Sequence, residues 1–106
     1  MRSLEIDAVS FDANGLVPVI CQDQESLSVL MLGYANLDAL QKTIETKEVH
    51  FFSRSRQELW HKGATSGNYL KVISLHMDCD SDAVLAFVQP VGPTCHTGAN
   101  SCFEEQ

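Results

Sequence analysis

Three groups of side chains in this 106-residue sequence have the types and spacing to do chemistry. Asp78-Cys79-Asp80-Ser81-Asp82 carries carboxylates at i, i+2 and i+4, which on an extended chain share one side while Cys79 faces the other. Like charges this close repel unless a hard cation lies among them, and Mg2+ or Ca2+ prefers such oxygen ligands. The segment is not an EF-hand, because Ala83 stands where the sharp-turn Gly is required and Gln89 where the closing Glu is required. The competing reading is an acidic turn that ends a strand.

Cys95 and Cys102 stand with six residues between them, His96 is adjacent to the first, and Cys79 is a third candidate thiolate. A structural zinc site wants four ligands, usually as two close pairs. Three protein ligands leave a position for water, the arrangement of a catalytic zinc, and three thiolates around Zn2+ leave a formal charge of −1. Water there is polarised less than by three imidazoles, so a nearby base is expected, and His96 is the candidate. Otherwise these cysteines are simply buried and His96 is a surface residue. Cys21 closes the apolar run Leu16–Ile20 and reads as a small buried hydrophobe.

The third group is basic. Arg54 and Arg56 can grip phosphate bidentately, and Lys62, the hydroxyls of Thr65 and Ser66, Gly67 and Asn68 form a loop able to cradle another. Gly63 and Gly67 are too close for a Walker A loop, and no Lys follows Gly67. Trp60 is either core or a platform for a flat ring.

The whole chain holds 7 Lys+Arg against 14 Asp+Glu, a formal charge of −7, which argues against a nucleic-acid polymer or an anionic membrane surface as partner. That charge is unevenly spread: the segment 50–72 is net positive between two acidic stretches. No apolar run is long enough to span a bilayer and the first residues lack a signal-peptide core, so the expected location is the cytoplasm, where the four cysteines stay reduced.

These groups need a scaffold. Asp12–Gly15 is a turn signal, 17–21 and 28–32 read as the strands of a hairpin, and 49–53, 59–60, 69–77 and 84–88 as further strands. The apolar run 84–88 suits a strand buried on both faces. Asn36 can cap a helix over 37–46 in which Leu37, Leu40 and Ile44 recur and Asp38 can pair with Lys42. After Pro90 regular structure runs out, and a metal is one way to hold the tail. No repeat or linker divides the chain, so one domain over 1–106 is expected. Its length permits a thin core, with about 65% of the surface buried on folding.

Taken together and in order, Ser53–Arg56 with Leu59–Asn68, then Asp78–Asp82, then Gly92–Gly98 with Ser101–Phe103, resemble phosphoribosyl-AMP cyclohydrolases of histidine biosynthesis. The resemblance runs from about Val29 to Phe103. It implies an intertwined homodimer, one zinc per subunit held by Cys79, Cys95 and Cys102 across the interface, Mg2+ on Asp78, Asp80 and Asp82, and His96 as the catalytic proton carrier. It implies hydrolytic opening of the purine ring of 1-(5-phosphoribosyl)-AMP between N1 and C6. The two phosphates of that nucleotide would use Arg54, Arg56, Lys62 and the 65–68 loop, and Trp60 its base. Ala64 departs from the Glu associated with many relatives. Some members are fused to a pyrophosphohydrolase domain, for which 106 residues leave no room. The expected fold is therefore β-rich α+β, a small strand-dominated barrel- or sandwich-like unit with one main helix, completed by dimerisation. A zinc nucleobase deaminase competes weakly, since no His is followed two places on by Glu and no P-C-x-x-C occurs. A zinc-stabilised interaction module without turnover is the other alternative.

Overall fold

The computed structural model describes residues 1–104. β1 (Val17–Asp23) and β2 (Val29–Ala35) form the expected antiparallel hairpin, in register from Val17 opposite Ala35 to Cys21 opposite Met31, with an irregularity after Cys21. α1 (Leu37–Thr46), β3 (His50–Ser53), β4 (Glu58–His61), β5 (Leu70–Met77) and β6 (Val84–Pro90) follow. A four-stranded sheet runs β2-β1-β6-β5, with β6 parallel to β1 and antiparallel to β5. Pro18 is tolerated in an inner strand because pairing with β6 starts only at Val19, so its missing N–H interrupts no bond on that side.

The core lies on one face of this sheet. Val17, Val19 and Cys21 of β1 and Val84, Ala86 and Val88 of β6 are all buried, joined by Leu30, Met31, Ala35 and Leu70. The intervening residues Ile20, Leu85 and Phe87 are only half-buried. β6 is thus an inner strand with one buried face, not two, as its alternating burial shows.

The helix begins and ends where its caps dictate. Asn36 accepts from the Ala39 N–H through Oδ1 at 2.9 Å, and Lys47 stops the helix in the left-handed region at φ 59°. The buried stripe is Ala39, Leu40 and Thr43, whereas Leu37 and Ile44 are 48% and 43% exposed. Docking is partly polar: Thr43 Oγ1 accepts from the His50 N–H at 2.9 Å, which turns the helix away from the stripe that Leu37 and Ile44 define. Lys42 pairs with Glu45 at 3.8 Å rather than with Asp38.

β3 and β4 form a separate two-stranded ribbon, paired from His50 opposite His61 to Ser53 opposite Glu58. Backbone bonds from Val49 to Leu70 and from Val72 to Lys47 tie it to β5, and one from Lys62 to Val49 extends the ribbon's own pairing. The architecture is accordingly a strand-rich α+β unit of two sheets and one main helix. Among the described residues no helix is long and apolar enough to cross a membrane.

Candidate active site

The ribbon delivers the basic loop. β4 ends at His61, and the chain turns over Lys62–Ser66, closed by the Gly67 N–H donating to the Gly63 carbonyl at 2.7 Å. Gly63 sits at φ +96°, and a Cβ there would lie 2.6 Å from the Tyr69 nitrogen, so only glycine fits.

The cysteine loop is built from the other end of the chain. Thr94 N–H donates to the Asn100 carbonyl at 3.3 Å and Cys95 N–H to the Ala99 carbonyl at 3.0 Å, which closes a tight loop over 94–100. Ser101, 2% exposed, donates through Oγ to the Val29 carbonyl at 2.6 Å, and Cys102 N–H donates to the Leu30 carbonyl at 2.7 Å. The tail is therefore pinned to β2 by its own hydrogen bonds.

Both loops open on one cleft of about 640 Å3, a size that suits a small-molecule ligand. Arg56, Trp60, Lys62, Thr65, Ser66, Asn68, Cys95, His96 and Cys102 all line it. Trp60 is 41% exposed, so it is a wall of the cleft rather than core, with its ring tilted against Phe51 at 5.5 Å. The two thiols line the same wall of the cleft, and each acts on the other's titration. Thr97 Oγ1 donates to Cys95 Sγ at 3.1 Å, and this bond above all lowers the Cys95 pKa. Burial, then the charge of Cys95, raises that of Cys102. Cys95 is thus the readier thiolate of the pair. Burial pulls Lys62 below the usual lysine range, opposed by the thiols of Cys102, Cys21 and Cys95. Cys21 is fully buried under the sheet, and burial pushes its thiol up to about 12, making it inert.

Other candidates lie elsewhere. Arg54 is separated from Arg56: its guanidinium stacks 4.1 Å above the Tyr34 ring and lines a second cavity of about 400 Å3 with Asn14, Asn36 and Gln57. Gly67 closes the basic loop but does not line the cleft. Cys79 sits on the β5–β6 turn, and among the described residues it does not cluster with Cys95 and Cys102. On that turn the carboxylates of Asp78, Asp80 and Asp82 lie within 4.8 Å of one another.

The carboxylates converge by a turn, not by strand alternation, with Ser81 at φ 63°. Asp78 Oδ1 accepts from the N–H groups of Asp82 at 3.0 Å and Ala83 at 3.2 Å, and Arg2 donates to Ser81 Oγ at 2.8 Å. Asp82 is pushed up to about 6 by its hydrogen bonds to Asp80 and Asp78 and by their charges. On Asp78 burial pushes upward, but hydrogen bonds from Asp82, Ala83 and Asp80 prevail and hold it low.

Ser53, Glu58 and Thr94 also line the cleft, although the sequence assigns none of them a role there. Ser53 and Glu58 belong to the ribbon, and only its pairing brings them to the cleft. Thr94 is 3% exposed with an unpartnered hydroxyl beside Cys95, and its position between Pro93 and Cys95 is the one signal that could have marked it.

A family model described as Phosphoribosyl-AMP cyclohydrolase matches residues 31–104. The histidine biosynthesis bifunctional protein HisIE of Oceanobacillus iheyensis is 55% identical over 104 residues, covering 98% of this chain and 48% of the relative. The protein of that name from Bacillus subtilis is 52% identical over 102 residues, covering 96% of this chain and 49% of the relative. That from Staphylococcus epidermidis is 58% identical over 94 residues, covering 89% and 44%. The chain spans about half the length of these curated relatives. The matched stretch takes in the ribbon, the basic loop, the aspartate turn and both cleft cysteines, and the chain belongs to the phosphoribosyl-AMP cyclohydrolase family.

Proposed function

We propose that this chain hydrolyses 1-(5-phosphoribosyl)-AMP in histidine biosynthesis, adding water at C6 and breaking the C6–N1 bond. The observation that carries this is one cleft holding a thiol pair, a histidine, an arginine and an aromatic wall. Arg56 and the Thr65, Ser66 and Asn68 loop bind phosphate, and Trp60 stacks on the flat base. His96 takes the proton that water loses as its oxygen joins C6, and a proton returns to N1 as that nitrogen leaves.

The donor set fits zinc, since Cys95 and Cys102 are soft ligands on one wall of the cleft. When bound, zinc supplies the Lewis acidity that makes water nucleophilic near neutral pH. Cys79, set apart on its turn, supplies the third thiolate from a second copy of the chain. The half-buried Ile20 and Leu85 and the 44% exposed Leu32 give the outer face of the sheet an apolar strip for such a copy to cover. The carboxylates of Asp78, Asp80 and Asp82 fit Mg2+ by donor type and proximity. The tail's anchorage through Ser101 speaks against a purely structural metal. The reading goes with a reducing cytoplasm, in keeping with four free cysteines.

The test is a spectrophotometric assay on phosphoribosyl-AMP with and without chelator, with sedimentation of the same samples. Turnover that chelator abolishes and zinc restores, in a dimer, is expected. A zinc-loaded protein without turnover on this substrate overturns the assignment.

A further inference from the structure

Lys62 is an unusual member of a phosphate-binding segment because its residue is only 6% exposed. Among the described residues no carboxylate pairs with it, and its ammonium has one hydrogen bond, to the Asn68 carbonyl at 3.5 Å. A lysine held this far from water and given no carboxylate wants another anion near its ammonium. The anions available are thiolates: Lys62 shares the cleft wall with Cys95 and Cys102, and its charge interacts with both of them and with Cys21. Of the three, Cys21 is sealed in the core, which leaves the cleft pair.

We propose that Lys62 is a positioning residue whose ammonium is the counter-charge of the Cys95–Cys102 thiolate pair, not a phosphate ligand. This rests on the zinc reading above. Three thiolates around a dication carry −1, and one fixed ammonium beside them brings the buried assembly to neutrality, so its removal weakens metal binding rather than nucleotide binding.

The experiment measures metal affinity of the whole chain by chelator competition with Zn2+, and by the thiolate-to-metal charge-transfer band with Cd2+. Lys62→Met and Lys62→Gln should each lose about 10- to 100-fold in Zn2+ affinity, Lys62→Arg should recover most of it, and KM of the zinc-saturated variants should stay within about twofold. Two neutral variants guard against misfolding of one, and thermal melts identify any that unfolds. Unchanged Zn2+ affinity with a raised KM overturns the inference and restores Lys62 to phosphate. A wild-type chain with no Cd2+ band removes the metal reading and this inference together.

Discussion

The ring of Phe51 lies against the backbone of Gly33, so close that a Cβ at residue 33 would come within 2.6 Å of ring atoms Cδ1 and Cε1. This contact seats the β3–β4 ribbon on β2, and with it Trp60 and the basic loop. Phe51 is 1% exposed and has nowhere to retreat. Gly33→Ala should therefore cost about 1–3 kcal/mol by overpacking, seen as a lower urea midpoint at unchanged slope. An unchanged midpoint would show that the ribbon is not held there.

Arg54 and Arg56 should differ in kind. Arg56→Ala removes a charged partner of phosphate in the cleft, worth about 1.5–3 kcal/mol, and should raise KM by roughly tenfold or more. Arg54→Ala removes only the stack on Tyr34, worth about 0.5–1 kcal/mol of stability at an exposed site, and should leave KM within about twofold. Equal effects on KM would contradict the separation of the two side chains.

Stability should depend on pH through His50. It is 6% exposed, stacked on His61 at 4.1 Å, with Nδ1 2.9 Å from the Glu48 carbonyl and with Lys42 and the Glu48 carboxylate also acting on it. Burial chiefly, against the Glu48 carbonyl bond, lowers its pKa from 6.5. The unfolded chain then binds the proton first, so the folded state is fully favoured above 6.5 and loses stability as pH falls through 6.5 toward the lower folded value. In urea titrations between pH 7.5 and about 5, His50→Gln should show a shallower loss than wild type. Parallel pH profiles for the two proteins would remove His50 as the cause.

Local features of this fold follow from neighbours in the chain. The helix over 37–46 matches its expected bounds because an Asn36 side chain and a left-handed Lys47 are local devices. The β1–β2 hairpin and the β4, β5 and β6 strands follow from short apolar runs and turn residues, which are properties of a few adjacent residues. The motif content of the site was equally local, as residue type and spacing identify thiolates, carboxylates and guanidinium groups without coordinates.

Non-local packing decided the rest. Alternation places Arg54 and Arg56 on one side only while the strand lasts; β3 ends at Ser53, Gln57 takes φ 54°, and the two arginines part. The buried stripe of α1 was set by the hydrogen bond between Thr43 and His50, residues on different elements. Lys62 reads from sequence as one more phosphate-binding cation, and only the ribbon's docking beside the 94–102 segment buries it on the wall it shares with the thiols. The sequence by itself determined which donors exist and which short elements carry them, because those are fixed by backbone preference and side-chain chemistry. Which donors face one another was left to the tertiary structure, because burial and charge are set by chain segments that meet across dozens of residues.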